Sequence, residues 1–268
     1  MDRQIQKKNN ISVEGNLTAP ETLIFANGFG TEKTAWNAVK EAFSADYRLV
    51  LYDNVGAGSA DPEAYSPKKY HSLNAYADDM LDIIEALDLQ GSTIIAHSVS
   101  SMIATIAENK KPDYFKKMVF IGASPRYLNE ESVGYIGGFN QLDLDNLYKA
   151  MTSNYYAWVS GFSAMAMANP DKKELGEQFA ATLSAIRPDI ALAVSKIIYE
   201  SDVRSELPKL HKEVLLLQTQ QDIAVPSAVA QYLNQHIEGS KLEYLDATGH
   251  FPHISAPNEV IKHVKAFI

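Results

Sequence analysis

The sequence contains no cysteine. A chain without cysteine cannot form a disulfide framework, use a thiolate as its nucleophile or bind zinc through sulfur. These three kinds of site are therefore excluded, and the composition fits a reducing compartment.

Long apolar runs and an excess of positive charge are also missing. No segment reaches the roughly 18 consecutive apolar residues that a transmembrane helix requires, and the first ten residues are too polar for a signal peptide. The formal net charge of −9 argues against nucleic-acid binding, which depends on a basic surface. We therefore expect a cytoplasmic protein that binds neither membranes nor nucleic acids. Its 268 residues are enough for one domain with a large insertion.

The chain does contain a regular alternation of short apolar runs and amphipathic segments. Near-continuous apolar runs are typical of strands that are covered on both faces of a parallel sheet. Between them, apolar residues recur at helical spacing, as at Tyr76, Met80, Ile83 and Leu87. The pattern predicts an α/β fold with a mostly parallel central sheet and flanking helices. The predicted strands cover residues 23–26, 49–52, 93–96, 118–121, 214–217 and 242–245.

One long stretch between two of these strands contains no strand pattern. Residues 127–205 are rich in alanine, methionine and aromatic side chains. Four helices are predicted there, at residues 143–153, 155–168, 173–184 and 189–201. We expect this segment to be an all-helical lid, inserted into a core formed by residues 1–126 and 206–268. Such a lid would cover the carboxyl edge of the sheet, where open α/β sheets bind their ligands.

Ser98 lies where an apolar strand passes directly into an amphipathic helix. A nucleophile elbow has this context, because the serine sits on a strained turn that raises its hydroxyl above the edge of the sheet. The residues two before and two after the serine must be small, and here they are Ala96 and Ser100. A serine at the start of a helix can instead be an N-cap. The partners described next favour a nucleophile.

An acid and a histidine follow Ser98 in the chain order that such an elbow requires. Asp222 comes shortly after the strand that begins at Val214, and His250 follows the last predicted strand. The alternative for Asp222 is an ordinary aspartate in a surface loop. This alternative is weakened because the other position where the acid is expected, after residues 118–121, reads GAS and has no carboxylate. A histidine activates a serine hydroxyl when a carboxylate orients the imidazole. The sequence therefore predicts a Ser98–His250–Asp222 catalytic triad.

Six other histidines compete with His250 for the role of base. His253 lies three residues further on, and the resulting His-x-x-His pair lacks a third ligand, so no metal site is predicted. His97 adjoins the nucleophile, but the sharp turn should point its ring away from the hydroxyl, which favours a packing role. The remaining histidines have polar neighbours and are predicted at the surface: His71, His211, His236 and His263.

Two backbone N–H groups are needed to stabilise the oxyanion of a tetrahedral intermediate. Val99, the residue after the nucleophile, is predicted to supply one of them. The loop after the strand at residues 23–26 reads NGFG, and its two glycines allow it to fold toward Ser98. Phe29 is therefore predicted as the second donor, with an ordinary glycine turn and a buried phenylalanine as the alternative.

Two glycine-containing segments suggest nucleotide binding only superficially. Residues 28–34 lack the glycine that precedes the lysine of a P-loop, and residues 56–61 lack the third glycine of a dinucleotide fingerprint. No cofactor is therefore predicted.

With these residues identified, the chain resembles one branch of the α/β-hydrolases almost from end to end. This branch contains the bacterial stress regulator RsbQ and the plant karrikin and strigolactone receptors. The resemblance is carried by short segments spread over the whole sequence. They are 27–30 (NGFG), 52–59 (YDNVGAGS), 97–103 (HSVSSMI), 124–129 (SPRYLN), 137–139 (GGF), 153–155 (SNY), Trp158, 187–191 (RPDIA), Asp222 and 249–250 (GH).

The resemblance implies the α/β-hydrolase fold, a V-shaped four-helix lid and slow hydrolysis of a small ester or lactone. Relatives often carry an apolar aromatic residue where this chain has Tyr199. As an alternative function, the resemblance implies a ligand sensor whose hydrolysis triggers binding of a regulatory partner of the phosphatase type. It also implies an apolar pocket above Ser98, although packing between lid and core explains any one of the lining side chains equally well. The implied lining residues are Phe29, Phe139, Trp158, Phe162, Phe179 and Ile198.

Overall fold

A central sheet of seven strands organises the computed structural model, which describes residues 3–268. The strands are β1 (Ser12–Gly15), β2 (Thr22–Ala26), β3 (Arg48–Leu51), β4 (Ser92–His97), β5 (Phe115–Ile121), β6 (Glu213–Gln221) and β7 (Lys241–Thr248). Their spatial order is β1-β3-β2-β4-β5-β6-β7. β1 pairs antiparallel with β3, and the other neighbouring pairs are parallel. The mostly parallel sheet predicted from the sequence is therefore confirmed.

Eleven α-helices accompany this sheet within the described residues. They are α1 (Arg3–Lys8), α2 (Asn37–Lys40), α3 (Leu73–Ala86), α4 (Val99–Lys110), α5 (Gln141–Ser153), α6 (Tyr155–Met167), α7 (Lys173–Ser184), α8 (Pro188–Glu200), α9 (Ser227–His236), α10 (Pro252–Ser255) and α11 (Pro257–Phe267). Short 3-10 turns join several of these elements.

The central strands are buried along their whole length because helices cover both faces of the sheet. Every residue of β2 and β4 is buried. Ile24 packs in a cluster with side chains of α3, α4 and α9, whereas the next residue, Phe25, packs in a cluster with α2 and α11. Successive side chains of a strand point to opposite faces, so a run that is apolar at every position fits only a sheet covered on both sides.

Four helices, α5 to α8, lie between β5 and β6, where the sequence predicts an all-helical segment. Their ends agree with the predicted ends to within two residues. α5 begins with a capping box, in which the side chains of Asn140 and Asp143 each accept a hydrogen bond from the other residue's backbone N–H. The division into a core and a lid stays a prediction, and Met1 and Asp2, at the start of its first segment, lie outside the described residues.

The two ends of this four-helix insertion meet at one point. Arg126 and Asp202 form an isolated antiparallel bridge. The Arg126 Nη1 atom also lies 2.8 Å from Asp202 Oδ2. Arg204 forms ion pairs with both Asp202 and Glu130 and so adds to the same junction. The insertion therefore leaves the sheet and returns to it at a single ion-paired junction.

β1 and α1 were not predicted from the sequence. The four residues of β1 read SVEG and contain one apolar side chain, and none of them is fully buried. An edge strand of this kind is held by its backbone pairing with β3, which leaves no apolar pattern to find. As regards membranes, the helices of residues 3–268 are too short or too polar to cross a bilayer. The cytoplasmic location stays a prediction.

Candidate active site

Ser98 joins β4 to α4 in a backbone conformation that is unusual for a residue with a side chain. Its φ is 55° and its ψ is −126°. The turn is held from behind, because the Ser98 N–H donates to the Ile121 carbonyl at 2.8 Å. The small residues on either side, Ala96 and Ser100, are completely buried. The Ser98 side chain makes no capping hydrogen bond to α4, so the alternative of a simple N-cap does not fit this geometry.

The hydroxyl of Ser98 instead begins a chain of hydrogen bonds to the other two residues of the predicted triad. Ser98 Oγ lies 2.8 Å from His250 Nε2, and His250 Nδ1 lies 2.8 Å from Asp222 Oδ2. All three side chains are buried, with Asp222 only 1% exposed. This is the geometry in which an imidazole can take a proton from a serine while a carboxylate holds its other nitrogen.

Asp222 is oriented by the backbone around it. It follows β6 directly, because that strand extends four residues beyond the predicted end at residue 217. Its Oδ1 accepts hydrogen bonds from the N–H groups of Ala224, at 2.8 Å, and Val225, at 3.1 Å. These contacts leave Oδ2 for His250.

The rival acid position after β5 is occupied by Gly122, and the structure shows why a side chain is absent there. A Cβ at this position would lie 3.2 Å from His250 Cε1 and 3.5 Å from Asp222 Oδ2. Gly122 also has a φ of +58°, which disfavours other residues. The space beside β5 is therefore needed for the His250–Asp222 pair.

His97 and His253 form a buried cluster of tilted rings beside His250. The His97 ring centroid lies 4.8 Å from that of His250 and 4.4 Å from that of His253, which in turn packs against Trp36. Burial lowers the pKa of His253 to about 3. Burial and the neighbouring histidines lower the pKa of His97 well below its usual value. Both rings are therefore neutral near pH 7.

His97 also binds the loop that carries His250. Its Nε2 lies 2.7 Å from the His250 carbonyl oxygen, so the N–H of His97 donates to that carbonyl. This contact agrees with the predicted packing role. Among the histidines predicted at the surface, His263 is half-buried and three are exposed: His71, His211 and His236.

The loop of residues 27–30 approaches Ser98 closely. A Cβ on Gly28 would lie 2.3 Å from His97 Nδ1 and 3.2 Å from Ser98 Cβ, so only glycine fits at this point. Phe29 follows in the chain and lines the same apolar cavity as Val99, the first residue of α4. The two predicted oxyanion donors thus flank one cavity, and their role as donors stays a prediction.

The six predicted pocket residues fall into three groups. Phe29 and Ile198 line the cavity beside Val99. Phe139 packs against Tyr127 and Tyr199. The remaining three form an aromatic row that reaches Phe251, next to His250. Its centroid distances are 5.0 Å from Trp158 to Phe162, 6.2 Å from Phe162 to Phe179 and 4.3 Å from Phe179 to Phe251.

Tyr127 is close to Ser98, and no role was predicted for it from the sequence. Its hydroxyl lies 3.5 Å from Ser98 Oγ. Burial raises the pKa of Tyr127 to about 12, so the hydroxyl keeps its proton at neutral pH. The available signal was its place six residues after the end of β5, at the carboxyl edge of the sheet.

Comparisons with known proteins agree with this architecture. The sequence model of a family described as "alpha/beta hydrolase fold" matches residues 21–257. A strigolactone esterase of Pisum sativum, RMS3, is 40% identical over 250 residues, which cover 93% of this chain and 92% of the esterase. The karrikin insensitive 2 receptor CA of Petunia hybrida is 38% identical over 258 residues, covering 96% of this chain and 94% of the receptor.

A solved structure of a hydrolase from Oleispira antarctica is similar over nearly its full length. Its TM-score is 0.94 at 32% sequence identity, with 98% of this chain and 95% of that chain covered. The esterase from Exiguobacterium antarcticum has a TM-score of 0.87 at 18% identity. At that identity the second likeness concerns the fold alone.

Proposed function

Because the chain belongs to the α/β-hydrolase family, we propose that it is a serine hydrolase that cleaves a small apolar ester or lactone through Ser98, His250 and Asp222. The fold and the resemblance predicted from the sequence are confirmed by the family match and the relatives. The chain is an enzyme of the esterase type. The observation that carries the proposed mechanism is the chain of two 2.8 Å hydrogen bonds from Ser98 to His250 to Asp222.

The first half of the proposed reaction forms an acyl-enzyme. Ser98 Oγ attacks the carbonyl carbon of the ester while its proton passes to His250 Nε2, and Asp222 stabilises the resulting imidazolium. The oxyanion is stabilised by the backbone N–H groups of Val99 and Phe29. When the tetrahedral intermediate collapses, the bond to the alcohol oxygen breaks and His250 returns the proton to that oxygen.

The second half releases the acid. A water molecule attacks the acyl carbon while His250 removes its proton, and collapse of the second intermediate returns that proton to Ser98 Oγ. In a lactone the alcohol stays tethered to the acyl group, so the product is a single hydroxy acid. Neither half requires a metal ion or a redox cofactor.

The aromatic side chains of the insertion are the reason for proposing an apolar substrate. We propose that residues 127–205 act as the lid, with Trp158, Phe162 and Phe179 as part of the pocket. These rings form the row that ends at Phe251, beside the base. Aromatic walls favour a compact, uncharged group over a charged one. The strigolactone esterases among the relatives act, by name, on a small ligand.

A second candidate function is ligand sensing, in which slow hydrolysis changes the affinity for a regulatory protein. Some relatives are named as receptors. One contact in this chain favours the idea: the His250 N–H donates to the Ala166 carbonyl of α6 at 2.8 Å, so the base is bonded directly to the insertion. Hydrogen exchange of α5 to α8, measured before and after acylation of Ser98, should differ if the insertion responds. Identical exchange would contradict sensing and leave hydrolysis as the function.

Covalent labelling tests the nucleophile. A fluorophosphonate probe should add to the peptide that contains Ser98, as read by mass spectrometry, and the Ser98→Ala variant should not be labelled. The same variant should lose on the order of 10⁴–10⁶ in kcat toward a short p-nitrophenyl ester. A panel of small lactones that compete with the probe then defines the substrate class. Unchanged hydrolysis by a folded Ser98→Ala protein would exclude the proposal.

A further inference from the structure

The carbonyl oxygen of Asn27 accepts hydrogen bonds from two side chains that have no part in the triad. One donor is the hydroxyl of Ser100. The other is Asn54 Nδ2, at 3.2 Å. Asn27 and Ser100 are essentially inaccessible to solvent, with exposures of 1% and 0%. The side-chain amide of Asn27 is also fixed, because its Nδ2 donates to the Tyr52 carbonyl at 2.8 Å.

The chain positions of these residues give the contact a specific geometry. Ser100 directly follows Val99, and Asn27 lies two residues before Phe29. Val99 and Phe29 are the two proposed oxyanion donors, and they belong to segments that are far apart in the chain. The Ser100 hydroxyl thus connects the first turn of α4 to the loop that carries the second donor.

We propose that Ser100 is a positioning residue, which sets the separation and orientation of the two oxyanion donors with the help of Asn54. This inference rests on the proposed serine hydrolase function. Holding the Asn27 carbonyl fixes the plane of the peptide that joins Asn27 to Gly28, and hence the direction in which the chain enters Phe29. Gly28 has no side chain with which to restrain the loop itself.

The proposed role depends on the residue type at position 100, because only a residue with a donor group can make this hydrogen bond. An elbow of the common G-x-S-x-G kind has glycine two residues after the nucleophile, and glycine has no hydroxyl to donate. This chain keeps a small residue there and adds one hydrogen bond across the site. Oxyanion donors act through their geometry, and a misplacement of about 1 Å can cost about 100-fold in rate.

Ser101 provides a matched control in the same turn of the same helix. Its side chain is also completely buried, and its hydroxyl also donates to a backbone carbonyl, that of Ala96 at 3.2 Å. Ala96 belongs to β4 rather than to the loop of residues 27–30. Ser100→Ala and Ser101→Ala therefore remove the same kind of bond, and only the first touches the oxyanion loop.

The experiment measures kcat and KM for a short p-nitrophenyl ester in the full-length variants. Ser100→Ala should lower kcat by about 10- to 100-fold with little change in KM, whereas Ser101→Ala should change either constant little. A trifluoromethyl ketone that forms a tetrahedral oxyanion on Ser98 should bind Ser100→Ala more weakly, by a factor close to the loss in kcat. Equal behaviour of the two variants, or a change confined to KM, would overturn the inference.

A second variant keeps the test decisive if Ser100→Ala does not fold. Asn54→Ala removes the other donor to the same carbonyl from a half-buried position, and it should lower kcat and inhibitor binding in the same direction. The two levels of the proposal fail differently. A wild-type protein without Ser98-dependent hydrolysis would refute the proposed function, whereas an active wild type that tolerates both Ser100→Ala and Asn54→Ala would refute this inference alone.

Discussion

The carboxyl edge of the sheet and the four-helix insertion meet beside His250, and they hold their side chains in different ways. At the sheet edge the backbone fixes the groups: the Ser98 N–H is bonded to Ile121, and Asp222 accepts two N–H groups from its own loop. In the insertion, Trp158 and Phe162 are half-buried rings stacked 5.0 Å apart. Contact between rings restrains these side chains, and contact of this kind is less directional than hydrogen bonding.

The difference shows how precision and adaptability are divided in this molecule. Proton transfer requires donor–acceptor distances that are held to within a few tenths of an ångström, and strand ends held by a sheet supply that precision. Selection of an apolar substrate depends on shape and volume, which stacked rings can change by small movements. The insertion reaches the sheet edge through polar contacts as well, for example from Thr182 Oγ1 to the Gly30 carbonyl at 2.8 Å.

The largest expected effect is a difference in activity between variants of two histidines at the sheet edge, His250 and His253. His250→Ala should lower kcat by on the order of 10⁴–10⁶, because the base is lost, and it should prevent fluorophosphonate labelling. His253→Leu should keep most of the activity, because neither ring nitrogen of His253 has a hydrogen-bond partner within the described structure. Steady-state kinetics and labelling of both variants check the assignment. The reverse pattern would mean that His253 is the base.

A smaller effect is expected from two phenylalanines of the insertion. Phe179 is 2% exposed and packs on Phe251, whereas Phe162 is half-buried. Phe179→Ala should reduce the free energy of unfolding by roughly 3–5 kcal/mol, and Phe162→Ala by less. Phe162→Ala should instead shift the ester preference toward bulkier acyl groups. Urea unfolding and kcat/KM across an acyl series measure the two effects.

The ester preference of the wild-type protein is the reference for the Phe162→Ala and Phe179→Ala variants. Acetate and butyrate esters should be cleaved, and activity should fall sharply for long chains such as palmitate. A wild-type preference for palmitate would contradict a closed aromatic lid. An equal loss of stability in both variants would contradict the difference in burial.

The smallest expected effect is a pH dependence that comes from the buried histidines. The pKa of His253 is lowered to about 3 in the folded protein and is about 6.5 in an unfolded chain. Between these values the unfolded chain binds a proton that the folded protein does not, so stability falls as the pH falls below about 6.5. His97 acts in the same direction. His253 contributes a slope of at most about 1.4 kcal/mol per pH unit, which is the effect of one proton.

Replacing one histidine isolates its contribution to the change of the free energy of unfolding with pH. Between pH 6 and pH 4, His253→Leu should lose stability less steeply than the wild type, by close to one proton's contribution. His71→Leu, at an exposed position, serves as the control and should follow the wild-type slope. Urea midpoints at several pH values provide the measurement. Parallel curves for the wild type and His253→Leu would show that the buried ring does not resist protonation.

The sequence predicts the parts of this molecule that depend on local pattern. Strands buried on both faces appear as continuous apolar runs, and the helices of the insertion follow their apolar spacing closely. The predicted triad residues, Ser98, Asp222 and His250, all lie at ends of parallel strands, so chain order and strand position were enough to group them. The structure brings them within hydrogen-bond distance.

Features that depend on pairing between distant segments were not predicted. β1 exists because of its ladder with β3, and its own residues carry little signal. The place of Tyr127 depends on the neighbouring junction at which Arg126 meets Asp202, 76 residues further along the chain. The separation of the pocket residues into three groups depends on the rotation of each helix, which periodicity does not fix.

The hydrogen bond between the His250 N–H and the insertion couples the position of α6 to that of the loop that carries His250. The Ala166 carbonyl belongs to the last turn of α6, where helix carbonyls lack partners within the helix, and the His250 N–H satisfies it at 2.8 Å. If α6 moves away while the loop stays, both groups lose that partner and bind water instead. If the loop follows α6 instead, His250 leaves its position beside Ser98. Movement of α6 at this corner therefore breaks either this hydrogen bond or the contact between His250 and Ser98.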